Sequence, residues 1–228
     1  MLTRVILAAL VAGLFAGVFA TAAQSVSVIP LIHQAETYEK VAPHAEPADM
    51  TRDGEWAPEE GEQRIFFTLL SNLVTGVAFA LLLTAAILFL DQPVSLRHGV
   101  VWGAGGFAVF VLAPNFGLPP ELPGMASGDL LARQLWWIAT VSATAGGLLM
   151  FTFKETIAWM VAGVMLVVAP HVYGAPRGPA GQSAVPAELA AEFAIATIVT
   201  SALFWLFLGA VLGRLLSRAI EGRSNNPA

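Results

Sequence analysis

The sequence predicts an all-α protein, a polytopic transmembrane bundle of about six spans, with five as the narrower reading. Three observations predict it. Only 12% of the residues are charged and 57% are hydrophobic, where a soluble domain carries about 25% charge. The charges are crowded between six apolar blocks rather than spread through them, and uncharged runs of about 17–25 residues are the signature of a helix that crosses a bilayer. Twelve of the fourteen prolines fall in three of the intervening segments, which makes those segments stiff connections rather than helix.

The blocks run 5–29, 65–90, 99–113, 134–153, 156–169 and 193–213. The first has a rival reading, because Arg4, an apolar run and Thr21-Ala22-Ala23 also resemble a signal peptide. The run continues to Ile29, longer than a usual signal core, and carries Gly13-x-x-x-Gly17. A retained helix is the expectation; cleavage would leave five spans. The second block holds the most polar interior side chain, Asn72, with Thr68, Ser71 and Thr75 on or near its face. An amide in a span is expected to hydrogen-bond across helices. The third and fifth blocks are short, and both end in Ala-Pro (Ala113-Pro114 and Ala169-Pro170). Lys154-Glu155 divides the fourth block from the fifth. Gly99/Gly103, Ala143/Gly147 and Gly209/Gly213 repeat the close-packing spacing of the first span. They are assigned to packing within the bundle.

Each odd span ends at a proline, a proline-rich loop follows, and an even span returns. That pattern predicts three helical hairpins with their loops on the outer side. Orientation follows the Lys/Arg bias. With both termini cytoplasmic, the short inner segments hold six basic and three acidic residues, net +3. The outer loops hold five basic and thirteen acidic residues, net −8. Segment 30–64 is then a periplasmic loop, and the acidic outer face attracts cations.

The most shaped outer segment is the central one, 113–137. Pro114, Pro119, Pro120 and Pro123 surround Glu121, Asp129 follows, and Arg133 leads into Trp136-Trp137. Each proline restricts its own φ and the residue before it, so the loop should hold Glu121 in a fixed direction.

Several chemistries are excluded. With no cysteine there is no thiolate metal site and no disulfide. There is no P-loop, no H-E-x-x-H and no G-x-S-x-G, so an enzyme reading lacks its nucleophile and base. No basic tract suits nucleic acid. A metal site must therefore use imidazole and oxygen. His33 and Glu36, three apart, share a face if helical. His171 sits at an outer span end, and Glu121 lies in the proline loop. The expectation is that His33, Glu36, Glu121 and His171 converge on the outer face, a ligand set that cobalt, nickel and zinc accept. The competing reading makes His33 and Glu36 a solvated turn, with Glu36 supporting Lys40, and His171 a cap for its own helix end. His44 with Glu46 and Asp49 is a further, weaker cluster in the long loop. No cofactor is expected to be bound permanently.

Segments spread over nearly the whole chain resemble the CbtA family of cobalt transporter subunits. They are Pro30-Leu-Ile with Ala35-Glu36-x-Tyr38-Glu39, Leu118-Pro-Pro-Glu-Leu-Pro-Gly124 and Ala132-Arg-Gln-Leu-Trp-Trp137. Ala169-Pro-His with Gly174-Ala-Pro176, and Phe204-Trp205 with Gly209, complete the set. The resemblance implies a bacterial inner-membrane subunit for cobalt(II) uptake, associated with cobalamin supply. It also implies a small one-span partner, CbtB. It carries no metal ligands over to this chain. A different class remains open, a non-transporting membrane scaffold or assembly partner, and the lack of any charge inside the spans favours it. Lipid surrounds the chain on either reading, and a homo-oligomer stays open.

Overall fold

The computed structural model describes residues 2–41, 58, 61–178 and 183–221, and these are helical nearly throughout. Helix α1 is Leu2–Ser27, α2 Ile29–Val41, α3 Glu62–Phe89, α4 Leu96–Gly117, α5 Leu130–Phe153, α6 Ile157–Tyr173 and α7 Ala187–Glu221. Five of them (α1, α3, α4, α5, α7) are long and apolar enough to cross a membrane, and α6 is a shorter apolar helix. The polytopic helical bundle read from the hydropathy pattern is what the chain forms.

Glycine decides who packs with whom. Gly13 and Gly17 of α1 lie against the backbone of α3 at Gly76-Val77 and Asn72-Leu73. Gly99 and Gly103 of α4 lie against Gly209, Gly213 and the Trp205 carbonyl of α7. Gly147 of α5 meets Gly163 and Val167 of α6. In lipid there is no hydrophobic drive between helices, so close backbone approach supplies the attraction. α1 also packs on α7, and the buried core runs through Ala9, Ala12, Ala16, Ala80, Ile87, Trp205, Leu208, Leu212 and Leu216. The α5–α6 pair flanks this core and reaches it through the outer half of α4.

The pairing therefore differs from three sequence-adjacent hairpins. The first and second spans do pack together, but the third packs on the sixth and the fourth on the fifth. Loop proximity says which ends are near, whereas the glycine grooves select the partner.

The two Ala-Pro sites differ as well. α4 continues past Pro114 to Gly117 and α6 past Pro170 to Tyr173. Pro114 lacks an N–H, and its ring crowds the carbonyl four residues back. The helix accommodates it with a π turn over Ala108–Leu112, in which the Ala113 N–H bonds the Ala108 carbonyl. The segment expected to open the periplasmic loop is helical too. α1 breaks at Val28, and Pro30 falls in the first turn of α2, where a missing N–H costs little.

Candidate functional site

The connections that follow α1, α4 and α6 meet at one end of the bundle. Val28 at the α1–α2 break, with Leu31 and Ala35 of α2, buries against Leu122 of the central loop, Val185 just before α7, and Leu189 and Phe193 of α7. Within the central loop, Leu122-Pro123-Gly124-Met125 closes a turn through a 3.2 Å bond from the Met125 N–H to the Leu122 carbonyl. Gly124 has φ +81°. Proline followed by positive-φ glycine is the sequence of a type II turn. The Gly124 carbonyl accepts from the Ala184 N–H at 3.3 Å, and Arg177 Nε donates to the Gly117 carbonyl at 3.3 Å. The loop is thus fixed by its neighbours as well as by its prolines.

Glu121 sits on this scaffold. Ser127 Oγ donates to its Oε2 at 2.7 Å, and Arg133 Nη2 reaches the same oxygen at 2.7 Å. Glu36 is also engaged. Its Oε1 accepts from Arg64 Nη2 at 2.6 Å, tying α2 to the start of α3, and its Oε2 lies 3.3 Å from His33 Nδ1. The sequence offers Glu36 as a metal ligand or, on the competing reading, as a support for Lys40; neither names Arg64. The Arg64 guanidinium holds the Glu36 carboxyl below the usual carboxylate range; partial desolvation works against it, and His33 adds to the lowering. A depressed carboxylate stabilises at pH values above its unfolded value, near 4.5, and that stability is lost as pH falls through the lower folded value. Spin labels at Gln34→Cys and Glu62→Cys should therefore give one narrow distance at pH 7 that broadens in stronger acid. Glu36→Gln should give the broad distribution at both. A narrow distance throughout would show that the ion pair does not hold α2.

His171 lies elsewhere. Its Nδ1 is 3.0 Å from the Val167 carbonyl of its own helix, and its Nε2 is 3.0 Å from the Ala113 carbonyl of α4. Trp136 and Phe116 stand edge-on to the ring, with centroids at 5.7 and 6.4 Å. Trp136 Nε1 donates to the Pro170 carbonyl at 3.0 Å. The structure thus brings His33 to Glu36 but brings neither to Glu121 or His171. Among the described residues, no three of His, Asp and Glu gather closely enough to hold one ion. His44, Glu46 and Asp49 lie outside the described residues.

A second polar feature lies inside the bundle. Asn72 Nδ2 donates to Thr21 Oγ1 at 3.0 Å and to Gln24 Oε1 at 2.7 Å, joining α3 to α1. Ser27 and Thr200 share a hydrogen bond of 3.0 Å between α1 and α7. Asn72 was legible in the sequence as an interhelical donor. Gln24 was missed, although Thr21, Gln24 and Ser27 recur at a spacing of three, which places them on one face. Two cavities share Gln24 and Asn72. An outer one of about 340 Å³ is bounded by Arg64, Thr68 and Ser71, and an inner one of about 160 Å³ by Thr75, Thr200 and Ser201.

The sequence profile described as "Probable cobalt transporter subunit (CbtA)" matches residues 2–217. The chain belongs to the CbtA family. CbtA is a family of transporter subunits, not of enzymes, so the resemblance read from the loop motifs stands, together with membrane residence and cobalt as the family's ion. Comparison with curated proteins and with solved structures gives no match.

Proposed function

We propose that this CbtA-family chain is the membrane subunit through which cobalt(II) enters the bacterial cytoplasm for cobalamin synthesis, working with a small CbtB partner. The inner membrane is its site, with both termini cytoplasmic. The observation that carries the reading is the family match across nearly the whole of a chain built as a membrane bundle.

The outer face supplies a first contact for the ion. His33 is exposed on α2, and the Glu36 carboxylate faces its Nδ1. A metal-binding imidazole ordinarily gives its other ring N–H to a carboxylate. His33 Nε2 then accepts cobalt while Glu36, itself held by Arg64, orients the ring. One imidazole with water as the remaining ligands gives modest affinity, as a transport step requires. Of the four residues expected to bind metal, His33 is the capturing ligand and Glu36 its positioning residue. Glu121 and His171 stand apart, each bonded to other groups.

Uptake of labelled cobalt into cells lacking other cobalt systems, with and without CbtB, tests the function. Accumulation that depends on this chain is expected; none in either background would favour the scaffold reading. His33→Ala should raise the cobalt concentration for half-maximal uptake about threefold to tenfold, a loss of roughly 1 kcal/mol of binding, and leave the maximal rate unchanged. An unaltered half-maximal concentration removes His33 from the capture step. Topology has its own check, made clean by the absence of native cysteine. Ser183→Cys should label from outside intact cells. Labelling only after permeabilisation would invert the orientation.

A further inference from the structure

We propose that the paired cavities around Gln24 and Asn72 are the ion's station inside the membrane, where a divalent cation is held through its own water ligands. This rests on the transport reading and says where within the bundle the cation stops and what holds it.

The lining sets the ligand class. Besides the Trp205 indole, the polar side chains that line the inner cavity are two amides and three hydroxyls, Gln24, Asn72, Thr75, Thr200 and Ser201. None is a carboxylate, imidazole or thiolate, so no inner-sphere site of high affinity is built there. Neutral oxygens suit an ion that keeps waters and passes hydrogen bonds from them to the wall. Asn72 is placed for this. Its Nδ2 is committed to Thr21 and Gln24, and among the described residues no donor reaches its Oδ1.

Size orders the two chambers. The outer cavity is about 340 Å³ and the inner one about 160 Å³, so the passage narrows inward. Gln24 and Asn72 line both, and their side chains are hydrogen-bonded to each other. An ion moving inward keeps its waters and exchanges their hydrogen bonds with the wall oxygens. Arg64 at the outer chamber is offset by Glu36, so the approach carries a neutral pair rather than a bare positive charge.

The inner chamber ends on aromatic rings. Phe79 of α3 lies 4.6 Å from Trp205 of α7, and Phe110 of α4 stacks on Trp205 at 5.6 Å with 6° between planes. Phe79 and Phe110 close the triangle at 5.2 Å. Beyond them the buried core is aliphatic, through Ala80, Leu83 and Leu212. Among the described residues, the passage is thus closed at its inner end by these rings. Phe110 belongs to the π turn that Pro114 enforces, the stretch of α4 where the regular hydrogen-bond ladder is already broken.

Two measurements test this, one independent of transport. Ser201→Cys should react with a membrane-impermeant cationic thiol reagent added outside, and millimolar magnesium or cobalt should slow the reaction. Ala80→Cys, beyond the aromatic rings, should not react. In transport, Asn72→Leu should lower the maximal cobalt rate about tenfold, the size expected for losing one hydrogen bond to a charged species, and leave the half-maximal concentration as in the parent. If folded Ser201→Cys does not react, if Ala80→Cys reacts as fast, if neither magnesium nor cobalt slows the labelling, or if Asn72→Leu transports at the parent rate, the station is not there. If the parent chain moves no cobalt with its partner present, the transport reading fails, and the labelling pattern still decides whether an outward cation cavity exists.

Discussion

Gly209→Leu is expected to remove the folded protein from the membrane. A Cβ at Gly209 runs into the Gly99 carbonyl oxygen and meets the Cα and N of Gly103, all of them backbone atoms. A side chain in the way can rotate; a backbone carbonyl moves only if its helix moves. α4 and α7 must then separate along the Gly99–Gly103/Gly209–Gly213 face, and Trp205 loses its bed against Gly103 and Gly106. Overpacking typically costs about 1–3 kcal/mol where the core can adjust, and rigid helix backbones adjust least. Total stability of about 5–15 kcal/mol leaves little margin. The matched control lies one position from Gly106. Gly105 has open space where a Cβ would go, so Gly105→Ala should be neutral or slightly stabilising through helix propensity. Membrane abundance and gel filtration in mild detergent read both. A Gly209→Leu protein that accumulates and elutes like the parent would show that α4 and α7 do not meet at these glycines.

That contrast marks how far the sequence could be read. Spans were legible because lipid tolerates so few charges that their positions outline the helices. The small-residue spacings were legible as packing surfaces, but not as pairs. Gly99/Gly103 and Gly209/Gly213 are separated by two further spans, and nothing in either spacing names the other. Proline misled for a similar reason. Pro114 and Pro170 look like helix ends when read alone, yet both helices run on for a further turn, and before Pro114 the hydrogen-bond ladder shifts to a π turn. His171 lies against the Ala113 carbonyl and Trp136 donates to that of Pro170, tying those turns to neighbouring helices. At the outer face, the spacing of His33 and Glu36 sufficed, since both lie on one helix. Arg64 was invisible as their partner because it arrives from the far side of the long loop. Contacts within a helix follow from spacing; contacts between helices follow from a fold that spacing does not encode.

His171→Ala is expected to lower stability and leave the cobalt dependence of uptake intact. The imidazole bridges two helix ends, with one nitrogen 3.0 Å from the Val167 carbonyl and the other 3.0 Å from the Ala113 carbonyl. Carbonyl oxygens only accept, so the ring nitrogen that carries the N–H donates to one of them, and both nitrogens face protein carbonyls rather than an arriving cation. Ala113 opens the last turn of α4, so the ring ties that turn to α6. Alanine removes that tie, a hydrogen bond worth about 0.5–1.5 kcal/mol net. The edge-on contacts to Trp136 and Phe116 add about 0.5–1.5 kcal/mol when lost. At about 2–4 °C per kcal/mol for a chain of this size, the detergent-solubilised protein should melt several degrees lower. The surviving folded fraction should take up cobalt with the parent's half-maximal concentration. A ligand would behave in the opposite way, with unchanged melting and a raised half-maximal concentration. That result would return His171 to the outer metal site and require its ring to turn away from Ala113 when cobalt binds.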